Sequence, residues 1–251
     1  MQGTPITARA ETPSGDPESC PNCGADSTAG DAYCGRCGQK KSIHRLTLHE
    51  IAHDLLHAFV HVDRSALSLI RLLVTRPGFV ALDYVHGKRK RYFGPFSSLV
   101  VVVAATSALF AFTGLPATLG SSPTPVTNFL QTHINLIMFA EVPLLAGYSR
   151  ILAGRWSFNY AEHLVLAAYA SSMRFLFSFL VFIPVWFALR HHPTVVHDLY
   201  FASLPIWPLY YGFALSQFLE EARASTWLRG IGATILTWIT TQGMATLVAS
   251  L

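Results

Sequence analysis

The sequence predicts an all-α membrane protein: about five transmembrane helices preceded by a small cytoplasmic zinc ribbon and an amphipathic helix. Three observations carry this expectation. Of 251 residues, 51% are hydrophobic and only 13% charged, against about a quarter charged in an ordinary soluble domain. All four cysteines fall in two copies of C-x-x-C-G near the start of the chain. Four consecutive cations, Lys88, Arg89, Lys90 and Arg91, stand just ahead of the first long apolar run.

Residues 1–19 carry Pro, Ser, Gly and Thr and almost no large apolar side chains. They cannot bury enough surface to offset chain entropy, so a disordered lead is expected. No apolar region lies near Met1, so no cleavable secretory signal is expected.

Residues 20–38 hold Cys20-Pro21-Asn22-Cys23-Gly24 and Cys34-Gly35-Arg36-Cys37-Gly38. Two thiolates three positions apart can face one ion from a tight turn. The glycine after each second cysteine frees the backbone to donate to sulfur. Two such knuckles predict a closed tetrahedral site of Cys20, Cys23, Cys34 and Cys37, which suits structural zinc and leaves no position for catalysis. Disulfides suit an exported domain, and a redox C-x-x-C suits a strand–helix context. Neither setting is visible here.

Residues 46–75 read as an amphipathic juxtamembrane helix. Leu48, Ile51, Leu55, Phe59 and Val62 share one face. His49, His53, His57 and His61 recur on the other, drifting about 40° per step and forming a stripe roughly 120° wide. Such imidazoles can bind metal or sense pH, but a plain polar face is the expectation. Arg76-Pro77-Gly78 should end this helix, and Phe79 to His86 can form a short second one. Residues 76–95 form a basic hinge whose cations meet anionic lipid headgroups and set topology.

From residue 96 to 251, five candidate spans follow: Phe96–Leu115, Gln131–Tyr148, Leu164–Leu189, Val195–Leu219 and Trp227–Leu251. Pro205 and Pro208 interrupt the fourth. Loop cations alternate: the basic hinge, then Arg150 with Arg155, then Arg223 with Arg229, all fall on one side. The positive-inside rule therefore places the N-terminus in the cytoplasm and the C-terminus outside. A reducing compartment agrees with zinc rather than disulfides.

Charges inside spans are costly unless paired. Glu141 and Arg174 fall at similar depth on neighbouring antiparallel spans, so a pair between them is one reading, and a snorkelling Arg174 or a shifted span register is the other. Glu162 and His163 open the third span. They could form a proton relay, but Asn159 with Glu162 also reads as a capping box. The sequence carries no phosphate-cradling glycine loop, H-E-x-x-H or G-x-S-x-G.

The paired knuckles, Arg76-Pro77-Gly78, the run from Tyr84 to Pro95 and Tyr160-Ala161-Glu162-His163-Leu164-Val165 occur in an order that resembles a family of uncharacterised bacterial integral membrane proteins with an N-terminal zinc ribbon. The resemblance covers roughly Cys20 to Val165. It implies a bacterial inner membrane and a cytoplasmic ribbon, and brings no known activity. The leading expectation is a non-enzymatic inner-membrane protein whose ribbon is a structural or protein-interaction module. A small transporter or channel using Glu141, Arg174, Glu162 and His163 is the alternative, and a membrane enzyme acting on lipid the third. Partners are an anionic bilayer and a protein met by the ribbon, without nucleic acid.

Overall fold

The computed structural model describes residues 19–26, 32–41, 45–48, 65–113, 134–154, 158–189 and 191–249. Residues 1–18 of the expected disordered lead, the histidine stripe and residues 49–64 of the expected amphipathic helix lie outside them. Among the described residues the protein is mostly helical, with no strand beyond two single bridges, Ser19 with Asp26 and Tyr33 with Lys40.

The first helices are α1, Ser65–Thr75, and α2, Pro77–Val85. Pro77 does not only stop α1. It sits at the first position of α2, where a missing N–H costs nothing and its φ is already helical. The second helix therefore starts two residues earlier than its apolar pattern suggests. It ends in a Schellman turn, with the Lys88 N–H on the Asp83 carbonyl at 2.9 Å and the Gly87 N–H on Tyr84 at 3.1 Å. Gly87 has φ 94°, a left-handed conformation that favours glycine.

Four helices follow: α3, Pro95–Thr113; α4, Ile134–Ala153; α5, Tyr160–Phe177; and α6, Ile183–Leu189. A π-helical turn, Ser178–Phe182, joins α5 to α6 without a break. Pro184 lacks an N–H and its ring would crowd the carbonyl four residues back, so the wider turn lies where an α-helical bond is lost. The chain closes with α7, Pro193–Ser203; α8, Ile206–Phe218; and α9, Ala224–Ala249.

The unbroken run Tyr160–Leu189 spans 30 residues and is the one helix, among the described residues, clearly long and apolar enough to cross a membrane. Only 18% of its most apolar window is buried, while Ala161 through Ser172 at its start are buried throughout. Pro95–Leu109 is a shorter apolar helix. Five spans were expected from composition, but length and hydropathy mark only this one clearly. The fourth stretch is not one helix at all. It divides into α7 and α8 at Leu204-Pro205, where proline removes a backbone donor.

The fold is organised around α5. Ala161 through Ser172 are all buried, with α2, α3, α4 and α8 packed against the helix. α9 lies along α8 and α4. α2 is pinned to α8 by Gln217, whose side-chain oxygen accepts the Gly78 N–H at 3.1 Å and whose amide donates to the Thr75 carbonyl at 3.4 Å. Gly78 allows this approach: a Cβ there would collide with the Ala214 carbonyl and lie 2.5 Å from the Phe218 nitrogen. Because the obstructing atoms are backbone, Gly78→Ala should destabilise the folded protein by about 1–3 kcal/mol. The check is the thermal unfolding midpoint in detergent, with the exposed glycine variant Gly243→Ala, which meets nothing within 4 Å, as the neutral control.

Candidate metal centre and its polar surroundings

The two C-x-x-C-G copies fold into near-identical knuckles. In each, the glycine N–H returns to the first cysteine carbonyl at 2.8 Å, Gly24 to Cys20 and Gly38 to Cys34. The first cysteine N–H reaches forward at 2.8 Å, Cys20 to Ala25 and Cys34 to Gln39. Gly24 and Gly38 have φ 68° and 70°, so both turns close in the left-handed region. The knuckles face each other, and all four Sγ atoms lie within 4.8 Å of one another.

Across the knuckles, Cys20 and Cys37 are 3.6 Å apart and Cys23 and Cys34 3.7 Å. A disulfide would hold sulfurs at about 2.05 Å. A tetrahedral ion with metal–sulfur bonds of about 2.3 Å has sulfur–sulfur edges of about 3.8 Å. The four cysteines are thus positioned to bind a metal ion, and four protein ligands fill its coordination. Backbone N–H groups already favour thiolate. The Cys37 and Arg36 amides bring Cys34 down to about 6, and the Gln39 amide leads the lowering of Cys37. Cys23 rises to about 11: burial and its sulfur neighbours outweigh the Ala25 amide that favours its thiolate.

The ribbon is seated on the basic stretch. Gln39, 4% exposed, gives its side-chain amide to the Gly87 carbonyl and accepts from the Arg89 and Lys90 N–H groups at 3.2 Å each. Asn22, inside the first knuckle, accepts from the Arg91 N–H at 3.1 Å. The four cations behave differently from one another. Lys88 turns inward to Asp83 at 2.6 Å. Arg89 lies over the Tyr84 ring at 5.9 Å. Lys90 and Arg91 are exposed. The same Asp83 takes the Tyr92 hydroxyl at 2.7 Å, and Tyr169 of α5 donates to the Phe93 carbonyl at 2.9 Å.

Glu162 and His163 are neighbours in sequence with separate partners. Arg45 grips Glu162 with two nitrogens, at 2.8 and 3.0 Å. Glu162 also accepts the Asn159 N–H, while its own N–H meets the Asn159 side chain at 2.9 Å, completing the capping box. The Asn159 amide reaches the Leu46 carbonyl at 3.1 Å. His163 instead points Nδ1 at the Ser149 hydroxyl of α4, 3.0 Å away. The two are not arranged as an acid–base pair.

Arg174 donates to Glu141 at 2.7 Å, linking α5 to α4. Its guanidinium lies 5.4 Å from the centre of the Trp207 ring and 5.5 Å from that of Phe175. Twelve positions, about 18 Å of helical rise, separate Arg174 from Glu162. The four polar residues expected to share a path therefore form three local contacts.

Asn22, Gln39, Arg45 and Asp83 were not singled out by the sequence. Asp83 carries a readable signal, five positions ahead of Lys88 across a helix end. Gln39 carries none, because its partners lie 48 to 51 positions away.

A family model described as Protein of unknown function (DUF3667) matches residues 68–106. That stretch runs from α1 through α2 and the basic loop into α3. The ribbon lies outside it. No curated protein and no solved structure matches the chain.

Two outcomes are expected at these contacts. Arg174→Ala should lower accumulation, since it strands a half-buried carboxylate. The loss should stay below the about 3–5 kcal/mol of a fully buried pair, because Arg174 keeps 36% side-chain exposure. Exchanging the charges, Glu141→Arg with Arg174→Glu, should restore what either single exchange loses; no rescue would count against direct pairing. Burial works to raise Asp83, but Lys88 and Tyr92 outweigh it and hold the carboxyl below the usual aspartate range. A depressed folded value gives stability that is complete above about pH 4 and lost as pH falls through it. The stability gap between the native protein and Asp83→Asn should accordingly be full at pH 7 and shrink in acid, measured by unfolding across pH.

Proposed function

We propose that this chain is a non-enzymatic, multi-pass protein of the bacterial inner membrane. Its cytoplasmic ribbon holds zinc and serves as a structural and protein-interaction module at the membrane surface. The observation that carries the reading is the converging set of four thiols, a donor set zinc prefers and one that leaves no open coordination position for a substrate. The module is fastened to the loop that leads into the first apolar helix, so its place is at the point of membrane entry.

Two further observations support the membrane setting. Besides Tyr160–Leu189, large apolar side chains stand exposed along the other apolar helices, including Phe112 at 89%, Ile151 at 72% and Trp238 at 61%. Such surfaces are rarely left in water, and a bilayer would cover them. We read α3, α4, α5–α6, the broken α7–α8 pair and α9 as the five membrane elements, with the N-terminus in the cytoplasm. Lys90 and Arg91 are exposed, Arg91 with its guanidinium 5.7 Å from the centre of the Tyr92 ring, and can meet anionic headgroups, each contributing about 1 kcal/mol. The exposed rim of the second knuckle, Tyr33 with Gly35 and Arg36, is available to a protein partner.

A transporter gains its support from the π-helical turn that follows Arg174, a feature frequent at functional sites. It would require flux across liposomes that depends on Glu141. The local neutralisation of Glu141 by Arg174 favours the structural reading.

The test is metal content and topology of the full-length protein. Metal analysis after purification should give one zinc per chain, lost in Cys34→Ser. Reporter fusions should place the N-terminus inside and the C-terminus outside. Replacing Lys88, Arg89, Lys90 and Arg91 by Gln should weaken that orientation. A chain without bound metal, or a cytoplasmic C-terminal reporter, would overturn the respective half of the proposal.

A further inference from the structure

We propose that metal binding at the four cysteines and seating of the membrane-entry loop, residues 87–91, are one coupled equilibrium, transmitted by Asn22 and Gln39. This rests on the zinc-ribbon reading and goes beyond it by assigning two positioning residues and a direction of control.

Each of the two residues belongs to the metal site and to the loop together. The Gln39 backbone is part of the second knuckle: its carbonyl accepts from Cys34 at 2.8 Å. Its buried side chain makes three bonds to the backbone of Gly87, Arg89 and Lys90. Asn22 lies in the turn between Cys20 and Cys23, and its side chain accepts the Arg91 N–H at 3.1 Å. Each knuckle is therefore connected to the loop through one side chain, Asn22 from the first and Gln39 from the second.

Such groups orient a metal ligand from outside the coordination sphere, and removing one typically costs 10–100-fold in metal affinity. A site of this kind rarely persists without its ion, since binding and local folding share one free energy. If the ion leaves and the knuckles open, the four acceptors and donors that hold residues 87–91 lose their alignment. The loop then keeps its contacts with Asp83 and Tyr84 on α2. Linkage is reciprocal: whatever seats the loop tightens the metal by the same factor. The ribbon thus controls how Lys90 and Arg91 are presented to a surface, and an anionic surface that orders the loop raises metal affinity.

The experiment uses full-length protein in nanodiscs of zwitterionic lipid, followed by amide hydrogen exchange over residues 87–91 and by zinc competition against a chromophoric chelator. Removing zinc should speed exchange in the loop by tenfold or more while exchange in α5 is unchanged. Gln39→Ala should weaken zinc about tenfold and speed loop exchange with zinc bound. Gln39→Glu, which keeps the acceptor for Arg89 and Lys90 but loses the donor to the Gly87 carbonyl, should restore part of the loop protection and so separate loss of contact from misfolding. Nanodiscs with anionic lipid should tighten zinc in the native protein and less so in Gln39→Ala. Zinc removal that leaves loop exchange unchanged, or Gln39→Ala with native zinc affinity, overturns the coupling while the zinc-ribbon reading stands. A native chain that never binds zinc overturns both.

Discussion

The carboxylate of Glu162 is the contact on which the arrangement depends. It caps the first turn of α5 through Asn159 and accepts from two nitrogens of Arg45, in the segment after the ribbon. A buried carboxylate, 5% exposed at its side chain, would be costly alone. Here the cap amides and the guanidinium share its charge, and a helix N-terminus favours an anion. The start of α5 is fixed by this, and α5 is the element around which α2, α3, α4 and α8 pack. A polar contact at the end of one helix thus sets the register of an apolar core.

The same region joins two parts that composition treats as separate. A cysteine ribbon and a set of apolar helices suggest a soluble module tethered to a membrane module. Gln39, Asn22, Arg45 and Asn159 instead connect them by side-chain bonds to backbone and by one ion pair. Bonds to backbone do not depend on the identity of the loop side chains. Lys90 and Arg91 therefore stay available for other contacts even while their N–H groups are occupied. The loop is held by its main chain and presented by its side chains.

Within the apolar half, three polar contacts join neighbouring elements, while the buried Tyr211 hydroxyl and one Arg229 nitrogen have no hydrogen-bond partner among the described residues. Arg174 answers Glu141, Ser149 answers His163, and the Tyr169 hydroxyl reaches the loop carbonyl of Phe93. Each links two different elements, so polar groups act here as specific fasteners between surfaces that apolar packing alone would leave free to slide. The Pro143 carbonyl, beside the Glu141 turn, takes the Tyr160 hydroxyl at 3.0 Å.

How much of this could be read beforehand depended on the range of the interaction. The two knuckles were legible because ligand spacing in a C-x-x-C-G turn is local geometry. So was the Asn159–Glu162 cap, which spans three positions. The Glu141 and Arg174 contact could be anticipated because neighbouring antiparallel helices bring equal depths together. Helix starts were less legible: Pro77 reads as a stop signal in sequence and serves as the first residue of α2. The fourth apolar stretch reads as one span by composition and is two helices by backbone hydrogen bonding. What only the tertiary structure decided was the seating of the ribbon on residues 87–91 and the separation of Glu162 from His163. Both rest on partners 14 to 117 positions away. Periodicity and spacing report which face a residue occupies within its own element. They carry no information on which distant backbone group that face will meet.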